Sequence, residues 1–113
     1  MKITDEKIRE FAKITGDDNP IHLDDEFAES SRFGRRIAHG MLCASLISAE
    51  IARKYPGAIY SSQHLQFMAP VFVDDEIEAV VTETKDDRWL YLTTHVKRGD
   101  EVVITGVGEI LCK

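Results

Sequence analysis

The amino-acid sequence predicts an α+β domain in which a curved antiparallel sheet wraps around one long helix. Three observations lead there. The first half of the chain carries helical apolar spacing broken by turn residues, whereas after Gly57 the period changes to two and stays there through four successive segments. The segment MLCASLISAEIARKY, Met41 to Tyr55, is apolar or small on nearly every face over its first turns and charged only at its end, the pattern of a helix buried at its start. With 113 residues the chain can build one hydrophobic core but not two ordinary ones, so a single domain spanning residues 1–113 is expected.

Each element has a local reason. Thr4 can cap a first helix, Asp5 and Glu6 favour its positive end, Ile8, Phe11 and Ala12 form its apolar stripe, and Gly16 stops it. The segment GDDNPIH reads as a turn-rich loop, because Asp and Asn bond local backbone and Pro20 pushes Asn19 out of the helical region. A second short helix is predicted from Asp24 to Ser30, followed by the connection RFGRRIAHG. Pro56 and Gly57 terminate the long helix.

Ala58 to Met68, Glu76 to Lys85, Trp89 to Lys97 and Glu101 to Cys112 alternate and are rich in Val, Ile, Thr and aromatics, which predicts four strands. Short connectors at Asp86–Asp87 and Arg98–Asp100 predict that consecutive strands pair as hairpins, with a longer loop at Ala69 to Asp75. Ile104, Gly106, Gly108 and Ile110 share a face of the last strand, and the two missing side chains suggest a hollow for the buried helix. Four strands on one helix leave edges uncovered, which favours a homodimer or a higher homo-oligomer.

Composition narrows the function. With 20 acidic and 14 basic residues and a net charge of -6, nucleic acid is a poor partner. No run reaches the roughly 18 apolar residues of a membrane span, and MKITDEKIRE lacks the apolar core of a secretory signal, so a cytoplasmic protein without a membrane partner is expected. Two cysteines, Cys43 and Cys112, form neither a disulfide framework nor a paired metal-ligand spacing, and no metal is expected.

The densest polar cluster is Gly16 to His22. An aspartate and a histidine five positions apart, with a proline stiffening the chain between them, can converge on one water: the imidazole takes a proton while the carboxylate orients the water or returns the proton. The same residues could instead cap a turn, with Asn19 left-handed and His22 at the surface. Gly40 can be an ordinary turn glycine before a helix, His39 is read as structural, and His64 and His95 have no clustered partners. Serines such as Ser45 and Ser48 in a buried helix commonly bond a carbonyl one turn earlier.

Phe11, Ile14, Thr15, Gly16, Asp17, Asn19, Pro20, Ile21 and His22 resemble the signature of the (R)-specific enoyl-CoA hydratase family, the MaoC-like hydratases of hot-dog fold. IAHGMLCASLIS, at Ile37 to Ser48, resembles that family's lead into its central helix, and LQFMAPVFVDDEI, at Leu65 to Ile77, resembles the strand and turn after it. The resemblance implies reversible hydration of a trans-2-enoyl thioester, with coenzyme A carried by the acyl-CoA substrate and no separate cofactor. It implies Asp17 and His22 as the catalytic pair and the Gly40 amide as the donor that polarises the thioester. It also puts Asn19 and Ser48 on the substrate side, Ser48 as a ligand to Asp17, while Asp18 fills a variable position.

Such a donor is needed because adding water across the conjugated thioester drives charge onto the carbonyl oxygen. Three other functions share the fold: dehydration of 3-hydroxyacyl groups on acyl carrier protein, with Arg32, Arg35 and Arg36 as a basic dock; thioester hydrolysis, for which Glu50 is the only acid on the long helix; and non-catalytic binding of acyl thioesters.

Overall fold

The computed structural model describes residues 1–85 and 89–112. Four helices, α1 (Asp5–Thr15), α2 (Pro20–Leu23), α3 (Asp25–Glu29) and α4 (Gly40–Lys54), precede four strands, β1 (Ile59–Phe67), β2 (Glu78–Lys85), β3 (Trp89–Arg98) and β4 (Glu101–Leu111). The Thr4 hydroxyl accepts from the Lys7 amide and opens α1, and Gly16 closes it at φ 82°, in the left-handed region that glycine adopts without penalty. The expected GDDNPIH loop holds one turn of helix. Asn19 accepts from the Ile21 amide and Pro20 occupies the first turn, where its missing N–H is not needed.

The strands form one antiparallel sheet in the order β1-β4-β3-β2. β2 with β3 and β3 with β4 pair as consecutive neighbours, as the short connectors predict; the β2–β3 turn expected at Asp86 and Asp87 lies outside the described residues. β1 departs from the hairpin expectation and pairs with β4, because the 68–77 stretch carries the chain across to the far edge. That stretch is anchored by the N-terminal segment: the Ile3 amide donates to the Asp75 carbonyl and the Asp74 amide to the Ile3 carbonyl, with Ile3 wholly buried.

Ala44, Ile47 and Ile51 on one face of α4 are buried and join Val81, Leu92 and Val96 in the core, so the helix lies on β2 and β3. The glycine hollow of β4 does not receive it. A side chain at Gly106 would meet the His64 carbonyl oxygen at 1.9 Å, and one at Gly108 would meet Gln63 Oε1 at 2.6 Å. The hollow is filled from β1: Gln63 crosses it, and its amide donates to the hydroxyl of fully buried Thr94 at 3.0 Å.

The two glycines therefore differ in what a methyl group would displace. Gly106→Ala has to move strand backbone and should destabilise the protein by on the order of 3 kcal/mol, read as a lowered urea midpoint at unchanged slope. Gly108→Ala meets the end of a flexible side chain and should lose clearly less; equal losses would contradict this packing.

Candidate active site

A cleft of about 640 Å³ opens at the N-terminus of α4 and is lined, among others, by Asp17, His22, His39, Gly40, Phe67 and Ile104. The chain assembles it by threading residues 36–38 between α2 and the 69–73 stretch. The Ile37 amide donates to the Ile21 carbonyl, Ala38 donates to Val71, and Ile37 bridges to Phe72. The next two residues, His39 and Gly40, are thereby delivered against the loop that carries Asp17 and His22.

His22 is buried, and its Nδ1 lies 2.8 Å from the Ile37 carbonyl. A carbonyl only accepts, so Nδ1 carries the proton and the neutral ring presents Nε2 as a free base. Burial, more than any neighbour, pushes the imidazole's pKa down; the Ile37 bond and Asp17 oppose the shift and His39 adds to it. The Asp17 carboxylate is exposed and lines the cleft, with one oxygen 3.4 Å from the Asn19 amide.

Asp17, His22 and His39 each offer a donor atom, and these atoms lie within 4.8 Å of one another. Sequence reading missed His39 as a member of this group, since no spacing rule brings a residue before one helix onto a loop after another. Its Nε2 donates to the Asp17 main-chain carbonyl at 2.9 Å, and its ring lies 4.0 Å from that of His22, 31° from parallel. The three are the residues that could hold a metal ion. Two of the ring nitrogens are already committed to backbone carbonyls, His22 Nδ1 to Ile37 and His39 Nε2 to Asp17.

Gly40 is the first residue of α4, and the N-cap, His39, makes no side-chain cap hydrogen bond. The first amides of a helix have no partner within it and carry the positive end of its dipole, so the Gly40 N–H is a donor available to the cleft. The missing side chain also makes room for Phe67, whose ring would lie 2.7 Å from a Cβ at this position.

Other residues fall elsewhere. Asn19 is outside the cleft and caps α2, at φ −54° rather than left-handed. Ser48 is exposed about 12 Å along the helix axis from Gly40, and among the described residues no hydrogen bond joins it to Asp17. Asp18 is exposed and off the cleft. Cys43 lines the cleft, but burial pushes its thiol pKa up to about 12, which leaves it inert as a nucleophile.

Arg36 is not available as a surface dock. It is buried, its Nε donates to the His22 carbonyl at 2.8 Å, and its guanidinium pairs with Asp5 and, at 3.7 Å, Asp25. The bonds from Arg36 and then Arg9 hold the Asp5 carboxyl below the usual range. Arg36 thus fixes the backbone of His22 from behind. Arg35 lies over the Phe72 ring, and Arg32 stays at the cleft mouth beside Phe33.

Residues 1–106 match the family model of the MaoC like domain. The 3-hydroxybutyryl-CoA dehydratase of Methylorubrum extorquens is 46% identical over 101 residues, covering 85% of this chain and 64% of that protein. The (R)-specific enoyl-CoA hydratase of Aeromonas caviae is 42% identical over 106 residues, covering 88% and 79%. The solved structure of an (R)-hydratase from A. caviae involved in PHA biosynthesis superposes with a TM-score of 0.93 at 36% identity, covering all of this chain and 90% of that one.

An antiparallel sheet with a central helix, superposing on a solved (R)-hydratase, and relatives named as hydratases and dehydratases place the chain among hot-dog proteins of the hydro-lyase class. The chain belongs to the MaoC-like domain family.

Proposed function

We propose that the chain is an (R)-specific enoyl-CoA hydratase, catalysing reversible hydration of trans-2-enoyl-CoA to (R)-3-hydroxyacyl-CoA. The observation that carries this reading is the convergence, in one cleft, of the Asp17 carboxylate, the unprotonated His22 Nε2 and the Gly40 amide. In the hydration direction a water held between Asp17 and His22 gives a proton to the Nε2 lone pair as its oxygen bonds to C3. The C2–C3 π electrons shift toward the thioester carbonyl, and the enolate oxygen accepts from the Gly40 N–H at the positive end of α4. A proton returned at C2 by the pair completes the addition and restores both groups.

Cys43, Met68, Val71 and Ile104 give the cleft the apolar wall that an acyl chain requires, and Arg32 stands at its mouth. Coenzyme A arrives as part of the substrate, so this reaction calls for no separate cofactor. A protein-borne thioester needs a basic dock; Arg36, one of the three arginines expected there, is buried in ion pairs, while Arg32 and Arg35 stay exposed. Thioester hydrolysis supported by the long helix would need Glu50, which lies off the cleft, bonded to Arg53 at 2.6 Å.

The reading includes a homo-oligomer, most simply a homodimer. Edge strand β1 is exposed along most of its length, and Ile59, Phe67, Met68 and Val107 expose more than half their surface in one protomer. The reading also keeps the enzyme in the cytoplasm; among the described residues no helix is long and apolar enough to cross a membrane.

Hydration of crotonyl-CoA and longer trans-2-enoyl-CoAs, with chiral analysis of the product, tests the activity. Asp17→Asn and His22→Ala should each lower turnover by at least about a hundredfold with the fold intact, whereas Asp18→Asn should retain most of it. An active enzyme indifferent to both Asp17→Asn and His22→Ala would refute the mechanism. Because His22 must be unprotonated to accept a proton and its pKa is lowered, activity should persist below the ordinary histidine value of about 6.5 and fall only as pH passes the lowered one. Sedimentation equilibrium at micromolar concentration should read a dimer or larger; a fully active monomer would contradict the oligomer.

A further inference from the structure

His39 touches both members of the catalytic pair, yet neither the reaction as proposed nor the resemblance that suggested it gives this residue a task. It is 1% exposed, and its two ring nitrogens have unequal fates: Nε2 bonds the Asp17 carbonyl at 2.9 Å, whereas Nδ1 is buried with no hydrogen-bond partner among the described residues. A buried, unpaired nitrogen carries a penalty that an apolar ring would avoid. Plain packing therefore does not explain why a histidine stands here.

Its contacts do. The ring lies 4.0 Å from His22 and 4.8 Å from Phe11 of α1, which confines it between α1 and the His22 ring. Its backbone is the N-cap of α4, one residue before the Gly40 amide. One side chain thus connects the loop that carries the acid, the ring of the base and the helix end that supplies the donor. We propose that His39 is a positioning residue: its Nε2–H fixes the main chain of Asp17 while its ring face fixes His22, which sets the distance between the two proton-transfer groups. This rests on the reading of Asp17 and His22 as the acid–base pair.

The two contacts can be removed separately. His39→Phe keeps a ring against His22 and loses the donor to Asp17; His39→Gln keeps an N–H donor and loses the ring. Both variants remove His39 and its small share in lowering the His22 pKa; the other charged and titratable groups facing His22 stay. They are Asp17 from the α1–α2 loop and Arg36 on the His22 carbonyl, itself paired with Asp5 of α1 and Asp25 of α3.

In His39→Phe, kcat for trans-2-enoyl-CoA hydration should fall about ten- to a hundredfold with KM within about twofold, while the His22 midpoint followed by NMR rises clearly less than in His39→Gln, because the ring still covers His22. In His39→Gln, kcat should remain within about fivefold of wild type, and the His22 midpoint, with the acid limb of the rate profile, should rise toward the ordinary histidine value as water reaches the uncovered face. Wild-type kcat in His39→Phe, or an unmoved His22 midpoint in His39→Gln, would overturn the proposal. Should His39→Phe not fold, the midpoint in His39→Gln decides alone. A wild-type chain inactive on trans-2-enoyl thioesters would refute the proposed function and leave the His22 titration to decide on His39.

Discussion

His22 Nδ1 and the Ile37 carbonyl, 2.8 Å apart, form the contact on which the proposed chemistry of the cleft depends. The carbonyl can only accept, so it commits the Nδ1 proton and leaves Nε2 without one. Two further contacts keep that bond in place. Arg36 grips the His22 carbonyl from the opposite side of the residue, and the backbone ladder from Ile37 and Ala38 to Ile21 and Val71 fixes where the accepting carbonyl lies. The burial that favours the neutral ring comes from the same packing.

The fold supplies what this arrangement needs at longer range. Ala44, Ile47 and Ile51 seat α4 on β2 and β3, which leaves the helix N-terminus projecting into the cleft with its amides open. Phe67 at the end of β1 closes over Gly40, and the stretch from Met68 to Val71 walls the cleft before the chain crosses to β2. The N-terminal segment contributes by pinning Asp74 and Asp75, so a strand-like stretch far from the site in sequence helps to hold the far side of the cleft.

Much of this was legible from local pattern. A change of hydrophobic period at Gly57 marks the α-to-β transition, the nearly all-apolar start of α4 marks burial, and Thr4 and Gly16 mark the limits of α1 to the residue. The polar cluster Gly16 to His22 was recognisable because a core does not require those residues in a loop. What local pattern could not show are contacts between segments distant in sequence. The pairing of β1 with β4, the filling of the β4 hollow by Gln63, the burial of Arg36 against Asp5 and the stacking of His39 on His22 each join positions 17 or more residues apart. The helical turn at Pro20–Leu23 was hidden for another reason: proline and asparagine signal both a turn and the start of a helix, and only the Asn19 side chain on the Ile21 amide resolves them.

In the proposed mechanism His22 stands neutral with its proton on Nδ1 and its Nε2 free for the water. Long-range proton–nitrogen NMR of the uniformly nitrogen-labelled protein at neutral pH reads this state directly, with His22→Ala assigning the resonance. A pyrrole-like Nδ1 and a pyridine-like Nε2 are expected for His22. A proton on Nε2 of the neutral ring, or both nitrogens protonated at neutral pH, would contradict it.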